Sequence, residues 1–254
     1  MPAQRRKKDL VSWLQTFQRA PSAQIKLICF SYAGGATRVY QGWGALLGPQ
    51  VEVGVVVLPG REHRYGEVPP TRLDELIPAL AEGLSEHLQQ PFAFYGHSLG
   101  ALLVHELSCY LRRQGRTGPA RLLVSGRPPP QFAFRGPRLH DLPDDRFVAE
   151  VQRHYGGIPP VIFRERDLMA LMIPRLRADL TLVENYVYRP EPPLACPIHA
   201  MTGSSDPLAT EAEVAGWAER TSAAFDLAVF PGGHFFLHDA PPPLLAHVRS
   251  RLLG

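Results

Sequence analysis

The sequence predicts an α/β protein with a mostly parallel, doubly wound sheet, and three observations support this prediction. Apolar runs of strand length alternate with helical patterns, and such alternation requires right-handed crossovers within a parallel sheet. Each run is apolar at nearly every position, as in strands buried on both faces. With 254 residues and a hydrophobic fraction of 45%, the chain is large enough to bury a substantial core.

The individual elements follow from apolar runs, capping signatures and terminal glycines. Strands are expected at 25–30, 51–58, 92–95, 121–126, 197–203 and 225–230. Helices are expected at 71–89, 101–113, 210–221 and 243–253. Thr71 and Thr210 each begin a capping-box pattern, and Gly115 is placed to end the helix after 113.

The alternation stops after Gly126. Residues 127–190 show helical periodicity and no convincing strand, with helices expected at 144–154 and 164–186 and an interruption at Pro174. We therefore expect a helical cap at 127–190, inserted into an α/β core formed by 24–126 and 191–254. Residues 1–23 are expected to be a basic tail and lead-in, with the short basic run at 5–8 solvated rather than bound to phosphate.

Within the predicted cap, the stretch 168–173 is apolar all round. Two interpretations remain open at this point. The stretch is either packed core, or an adaptable apolar surface for a substrate, to which methionine is well suited. Under the second interpretation Leu168, Met169 and Met172 are candidate substrate-binding residues.

A pentapeptide, Gly96-His97-Ser98-Leu99-Gly100, lies between a predicted strand and a predicted helix. Glycines on both sides of Ser98 permit a sharp, strained turn that exposes its hydroxyl, as in the nucleophile elbow of α/β hydrolases. The backbone N–H of Leu99 then lies at a helix N-terminus, where an anion is favoured. Ser98 is therefore the candidate nucleophile, and Leu99 N–H the first candidate oxyanion donor.

An elbow of this kind requires an acid and then a histidine on loops after later strands. Asp206 follows the predicted strand at 197–203, and His234 follows the strand at 225–230. All three side chains therefore come to the carboxyl edge of one parallel sheet, where open α/β sheets place their sites. A hydroxyl needs an imidazole to take its proton, and a carboxylate stabilises the imidazolium that forms.

The chain contains rivals for each role. His97 precedes the nucleophile and is expected to be structural, and His238 lacks the glycines and the strand edge that precede His234. Asp179 and Asp226 are alternative acids that are less well placed than Asp206. For the second oxyanion donor, the loop after the first predicted strand offers Ala33, with Tyr32 or Gly34 possible within one position. Tyr32 is also a candidate substrate-binding residue.

Other classes of function lack sequence support. Neither a Gly-x-Gly-x-x-Gly fingerprint, a P-loop nor a set of metal ligands at suitable spacing is present, so we expect neither a cofactor nor a metal. The net charge of +3 does not indicate nucleic-acid binding, and no apolar run is long enough to span a membrane. Three widely spaced cysteines are expected to be free thiols. The default expectation is a cytoplasmic monomer.

With these residues assembled, the chain resembles the type II thioesterases, the free-standing editing hydrolases of polyketide and nonribosomal peptide synthesis. The stretches that carry the resemblance are 30–36, 58–62, 96–100, 155–159, 176–179 with Tyr186, and 233–236. The resemblance implies hydrolysis of acyl thioesters on the phosphopantetheine arm of an acyl or peptidyl carrier protein. It also implies that the cap helices shape an acyl channel.

Two alternatives remain. A carboxylester or lipid acyl hydrolase would use the same three residues. A non-catalytic partner of carrier proteins that kept the fold is disfavoured by the intact Ser98, Asp206 and His234. The sequence assigns no chemical role to the stretch 58–62 around Arg61, which we expect to shape its loop.

Overall fold

A computed structural model describes residues 12–158, 160–239 and 241–254. The predicted basic run at 5–8 lies outside these residues. The strands are β1 Leu14–Gln15, β2 Ile25–Phe30, β3 Val51–Val56, β4 Phe92–His97, β5 Arg121–Ser125, β6 Ile198–Gly203 and β7 Phe225–Phe230. The helices are α1 Trp43–Leu47, α2 Leu73–Gly83, α3 Leu99–Arg113, α4 Asp144–His154, α5 Pro160–Arg164, α6 Arg166–Glu184, α7 Glu211–Val214, α8 Phe236–Asp239 and α9 Pro241–Leu253.

The strands form one seven-stranded sheet in the order β1-β3-β2-β4-β5-β6-β7. All neighbours are parallel except β1, which pairs antiparallel with β3 through Val55 and Val56. The predicted α/β class and the parallel sheet are confirmed. The sheet begins earlier than residue 24, because β1 lies within the stretch that the sequence assigned to a lead-in. A strand of two residues is too short to show any alternation.

Helices cover both faces of the sheet. Successive side chains of β2 point to opposite faces, so that Ile28 and Phe30 pack with α2 and α3, whereas Leu27 and Cys29 pack with α1 and α9. Because both faces are buried, the central strands are apolar at most positions, which explains the nearly continuous apolar runs in the sequence.

Several helix boundaries differ from the predictions. Thr210 forms the predicted capping box with Glu213, but the helix that it begins ends at Val214 and is followed by a 3-10 helix at Ala215–Arg220. Thr71 does not cap α2, because the extended residue before the helix is Arg72, which makes no capping hydrogen bond through its side chain. The helix predicted to reach residue 89 ends at Gly83 and is followed by a 3-10 turn at Ser85–Leu88.

The helical segment 127–190 contains α4, α5 and α6 and no strand among its described residues. It has a small apolar core of its own, formed by Leu139, Phe147, Val148, Val151, Ile158, Ile173, Leu176 and Leu180. Pro174 lies inside α6 without ending it. The interruption occurs instead at Glu165, whose extended backbone separates α5 from α6.

Candidate active site

Ser98 stands at the junction of β4 and α3 in a strained conformation, with φ 54° and ψ −111°. The two flanking glycines make this turn possible. A Cβ on Gly96 would lie 2.2 Å from the carbonyl oxygen of Gly100, and one on Gly100 would lie 2.1 Å from that of Phe30. Backbone strain of this kind is maintained only where the surroundings over-determine it. The elbow that the sequence predicted is therefore present.

His234 and Asp206 lie together at the same edge of the sheet. The His234 ring nitrogen Nδ1 is 2.9 Å from Asp206 Oδ2, and the two residues are 9% and 4% exposed. Their loops come together because Gly203 has no side chain: a Cβ there would lie 2.5 Å from Gly232 O. A buried carboxylate at Nδ1 fixes the tautomer in which Nε2 is free to accept a proton.

The rival residues have other partners. His238 lies 3.0 Å from the hydroxyl of Tyr32 through its Nε2 atom. Asp226 faces away from the site, where its carboxylate contacts His199 on β6 and Arg251 on α9. Asp179 is buried in an ion pair with Arg61. Of the three carboxylates considered, Asp206 is the one hydrogen-bonded to His234.

His97 is fully buried beside the site, with Nδ1 2.9 Å from Ser125 Oγ. Its ring centroid lies 5.0 Å from that of His234. Burial, and secondarily the neighbouring His234 and His238, hold the pKa of His97 well below its ordinary value. His97 therefore stays neutral and adds no positive charge beside a protonated His234, in keeping with its expected structural role.

The loop after β2 narrows the choice of the second oxyanion donor. The N–H of Gly34 donates to Asp179 Oδ2 at 2.7 Å, and the N–H of Gly35 donates to Tyr32 O at 2.8 Å. The N–H of Ala33 has no acceptor among the described residues, and neither has that of Leu99 at the start of α3. Gly34 is thus already committed, and the choice narrows to Ala33 and its neighbour Tyr32, of which Ala33 remains our candidate.

A cavity of about 730 Å³ contains both Ser98 and His234 in its wall. Tyr32 and Ala33 line it from the loop after β2, and residues of the helical segment line the opposite side. Of the three apolar candidates in α6, Met172 lines the cavity. Leu168 and Met169 do not: Leu168 is 40% exposed, and Met169 packs against the small core of the helical segment.

Arg127 also lines this cavity and was missed by the sequence analysis. Its half-buried side chain makes neither a hydrogen bond nor an ion pair with the described residues, and burial lowers its pKa to about 10. The sequence contained a signal for this role, because Arg127 lies two residues after the end of β5, and the last residue of β5, Ser125, pairs with His97 of the elbow.

Among the described residues, no helix is long and apolar enough to cross a membrane. In the same part of the chain, no group of three or more histidine, cysteine, aspartate or glutamate side chains is arranged to hold a metal ion. The three cysteines are free thiols, as expected. Burial raises the pKa of Cys109 to about 12 and that of Cys196 to about 11.

The sheet order, the serine elbow and the helical segment after β5 define a hydrolase of the α/β-hydrolase fold. The chain belongs to the thioesterase family, because the family model described as "Thioesterase domain" matches residues 25–252. It is 36% identical over 240 residues to the gramicidin S biosynthesis protein GrsT of Aneurinibacillus migulanus, covering 94% of this chain and 93% of the relative.

Two solved structures show the same relationship. The type II thioesterase BorB from the borrelidin biosynthetic cluster is 38% identical, with a TM-score of 0.85, and the match covers 94% of this chain and 97% of BorB. ClbQ from the colibactin NRPS/PKS pathway is 29% identical, also with a TM-score of 0.85, over 91% of this chain and 97% of ClbQ. The predicted resemblance and the thioesterase class are confirmed.

Proposed function

We propose that the protein hydrolyses acyl thioesters carried on the phosphopantetheine arm of an acyl or peptidyl carrier protein, with Ser98, His234 and Asp206 as the catalytic triad. One observation carries the triad assignment. The buried hydrogen bond between His234 and Asp206 lies at the same sheet edge as the strained Ser98 elbow, and one cavity contains Ser98 and His234.

The proposed reaction proceeds in two halves. His234 Nε2 takes the proton of Ser98 Oγ as Oγ attacks the thioester carbon, and the N–H groups of Leu99 and Ala33 stabilise the oxyanion. The C–S bond then breaks, and His234 returns the proton to the departing sulfur. Water repeats the attack on the acyl-serine, again with His234 as base, and releases the carboxylic acid and free Ser98.

A thioester suits this site because a thiol is a good leaving group. A thiol has a pKa of about 8.5, far below that of an alcohol or an amine, so that little is required of His234 as an acid. Support for carrier-bound substrates comes from the named relatives, which belong to peptide and polyketide pathways. The proposal assigns a monomer that acts in the cytoplasm, a reducing compartment consistent with three free thiols.

The test compares two substrate pairs. Hydrolysis of an acyl-carrier protein is compared with that of the same acyl group on free pantetheine, and a pantetheine thioester is compared with its matched oxygen ester. We expect a higher kcat/KM for the thioester and a further gain from the carrier. A preference for the oxygen ester instead indicates the alternative, a carboxylester or lipid acyl hydrolase, and full turnover by Ser98→Ala contradicts the triad.

A further inference from the structure

Arg61 and Asp179 form a buried ion pair beside the candidate active site, 118 positions apart in sequence. Arg61 Nη2 lies 2.7 Å from Oδ1 and 2.9 Å from Oδ2 of Asp179. The aspartate is fully buried and the arginine is 5% exposed. Burying two charges is costly, and a pair of this kind is weak evidence for a contribution to stability. Its location therefore calls for another explanation.

Both partners also hold the main chain of the loop 31–36, which contains the candidate oxyanion donor. Asp179 Oδ2 accepts from the N–H of Gly34 at 2.7 Å. Arg61 Nη1 donates to the carbonyl oxygen of Gly35 at 3.0 Å. These two contacts hold the peptide group directly after Ala33 and the one after Gly35. The Ala33 N–H belongs to the preceding peptide group, whose carbonyl oxygen, Tyr32 O, accepts from the Gly35 N–H at 2.8 Å, so the two contacts restrain the direction of the Ala33 N–H through this turn.

A second attachment comes from the residue next to Arg61. Glu62 accepts from the N–H of Thr37 at 2.7 Å and from its hydroxyl at 2.8 Å. Glu62 has a φ of 51°, one of two non-glycine residues with positive φ in the described structure, and the other is Ser98. Strain at Glu62 therefore accompanies an arrangement in which Arg61 binds the loop 31–36 and Glu62 binds Thr37, the residue directly after that loop.

Asp179 belongs to α6, in the helical segment, whereas Arg61 follows β3 in the sheet domain. The same helix also touches the loop with Leu176, whose Cδ1 lies 3.1 Å from the position of a Cβ on Gly34. The loop is thus held between a residue of the core and a residue of α6.

From this geometry we infer that Arg61 and Asp179 are positioning residues. They hold the loop 31–36 so that the Ala33 N–H points at the oxyanion. Because Asp179 belongs to α6, this alignment depends on the docking of α6. The inference rests on the proposed catalytic role of Ser98. It gives the stretch 58–62 the role that the sequence alone did not assign.

The test replaces the pair without leaving a buried unpaired charge. The double variant Arg61→Met with Asp179→Leu substitutes apolar groups for both partners, a change that buried ion pairs often tolerate. A matched control is Asp144→Asn, which removes another ion pair of α6, to Arg177, without touching the loop 31–36. Turnover is measured on a p-nitrophenyl ester and on a pantetheine thioester.

We expect the double variant to lose about 10- to 100-fold in kcat, a partial version of the roughly 10²- to 10³-fold loss that follows removal of an oxyanion donor. KM should stay within about threefold, because the loss is confined to the transition state. The inhibition constant of a trifluoromethyl ketone, which forms an oxyanion on the serine, should weaken by a similar factor. Asp144→Asn should leave all three quantities unchanged.

Amide hydrogen exchange of the peptide containing 31–36 gives a readout that does not depend on activity. We expect faster exchange in the double variant than in the wild type. Unchanged kcat with unchanged exchange overturns the inference, as does a rise in KM at constant kcat. Wild-type protein that hydrolyses the oxygen ester but not the thioester refutes the proposed function alone, since the positioning role is still read from the ester.

Discussion

The hydrogen bond between Asp206 and His234 allows the assignment of the triad acid to be tested quantitatively. Asp206→Asn keeps the size and shape of the side chain but removes its charge. The amide also offers an N–H to the ring in place of an acceptor, which favours the wrong tautomer of His234. Asp226→Asn is the matched control, because Asp226 contacts His199 and Arg251 and has no contact with His234.

The magnitude follows from the geometry. With Nδ1 and Oδ2 2.9 Å apart in a buried site, the centres of charge of an imidazolium and a carboxylate are about 4 Å apart. At an effective dielectric constant of about 20, their attraction is about 4 kcal/mol. Since about 1.4 kcal/mol corresponds to a factor of ten, losing this attraction lowers kcat about 10³-fold. The wrong tautomer adds to this, and the comparable change in a serine protease costs about 10⁴.

The assay follows release of free thiol from a butyryl thioester of N-acetylcysteamine, with kcat determined for both variants and the wild type. We expect a fall of about 10³- to 10⁴-fold for Asp206→Asn and a change of less than threefold for Asp226→Asn. An Asp206→Asn enzyme within tenfold of wild type refutes the assignment. A larger fall for Asp226→Asn transfers the role to the other carboxylate.

Three further predictions use paired measurements. Gly100→Ala places a Cβ 2.1 Å from a main-chain oxygen of β2, so urea titration should show a loss of about 3 kcal/mol or more in the free energy of unfolding. Gly118→Ala is the control: a Cβ there has no atom within 4 Å, and the free energy of unfolding should change by less than about 1 kcal/mol. Met172→Trp should narrow the cavity and lower kcat/KM for a decanoyl relative to an acetyl thioester about tenfold, whereas Leu168→Trp should not. Burial lowers the pKa of His97 in the folded protein. As the pH drops below about 6.5, His97 is therefore protonated in the unfolded chain but not in the folded one, and the free energy of unfolding should decrease. His97→Asn should reduce that fall between pH 7 and pH 5. If the two members of a pair show the same effect (Gly100→Ala and Gly118→Ala, Met172→Trp and Leu168→Trp, or the wild type and His97→Asn), the role assigned to the first-named glycine, to Met172 or to His97 is contradicted.

The sequence was sufficient to predict the parts of the site that lie on strand ends. Ser98 directly follows a strand, Asp206 and His234 lie within four residues of the ends of theirs, and the carboxyl ends of parallel strands must meet at one edge. No knowledge of side-chain packing enters that argument. The glycines of the elbow could also be predicted from the sequence. Backbone atoms approach each other closely in this turn, and only glycine, which has no Cβ, allows that approach.

The parts that the sequence did not predict depend on packing between distant segments. The stretch 168–173 is apolar on every side, so its periodicity could not indicate that Met172 faces the cavity while Leu168 faces solvent. Arg61 and Asp179 are joined only by the folded arrangement of α6 over the loop after β2. In the sequence, Asp179 was considered as an alternative acid and as part of a stretch that carries the family resemblance, but its pairing with Arg61 was not predicted, because the partner of a carboxylate cannot be inferred from the residues next to it in the chain.

Helix α6 both lines the cavity and holds the loop 31–36. Its C-terminal half is anchored, since Leu182 and Val183 belong to the main core, and this half supplies Asp179 to the loop that holds the oxyanion donor. The cavity is lined by residues of both halves, namely Met172, Leu176, Leu180 and Val183. Near the N-terminal end, Leu168 is exposed and does not line the cavity. Of these four residues, Met172 lies farthest from Asp179 in the sequence, so we expect substitutions at Met172 to change the shape of the cavity with the least effect on the contacts around Asp179. Substitutions at Leu176, Leu180 or Val183 should change both, because these residues line the cavity within one turn or so of Asp179.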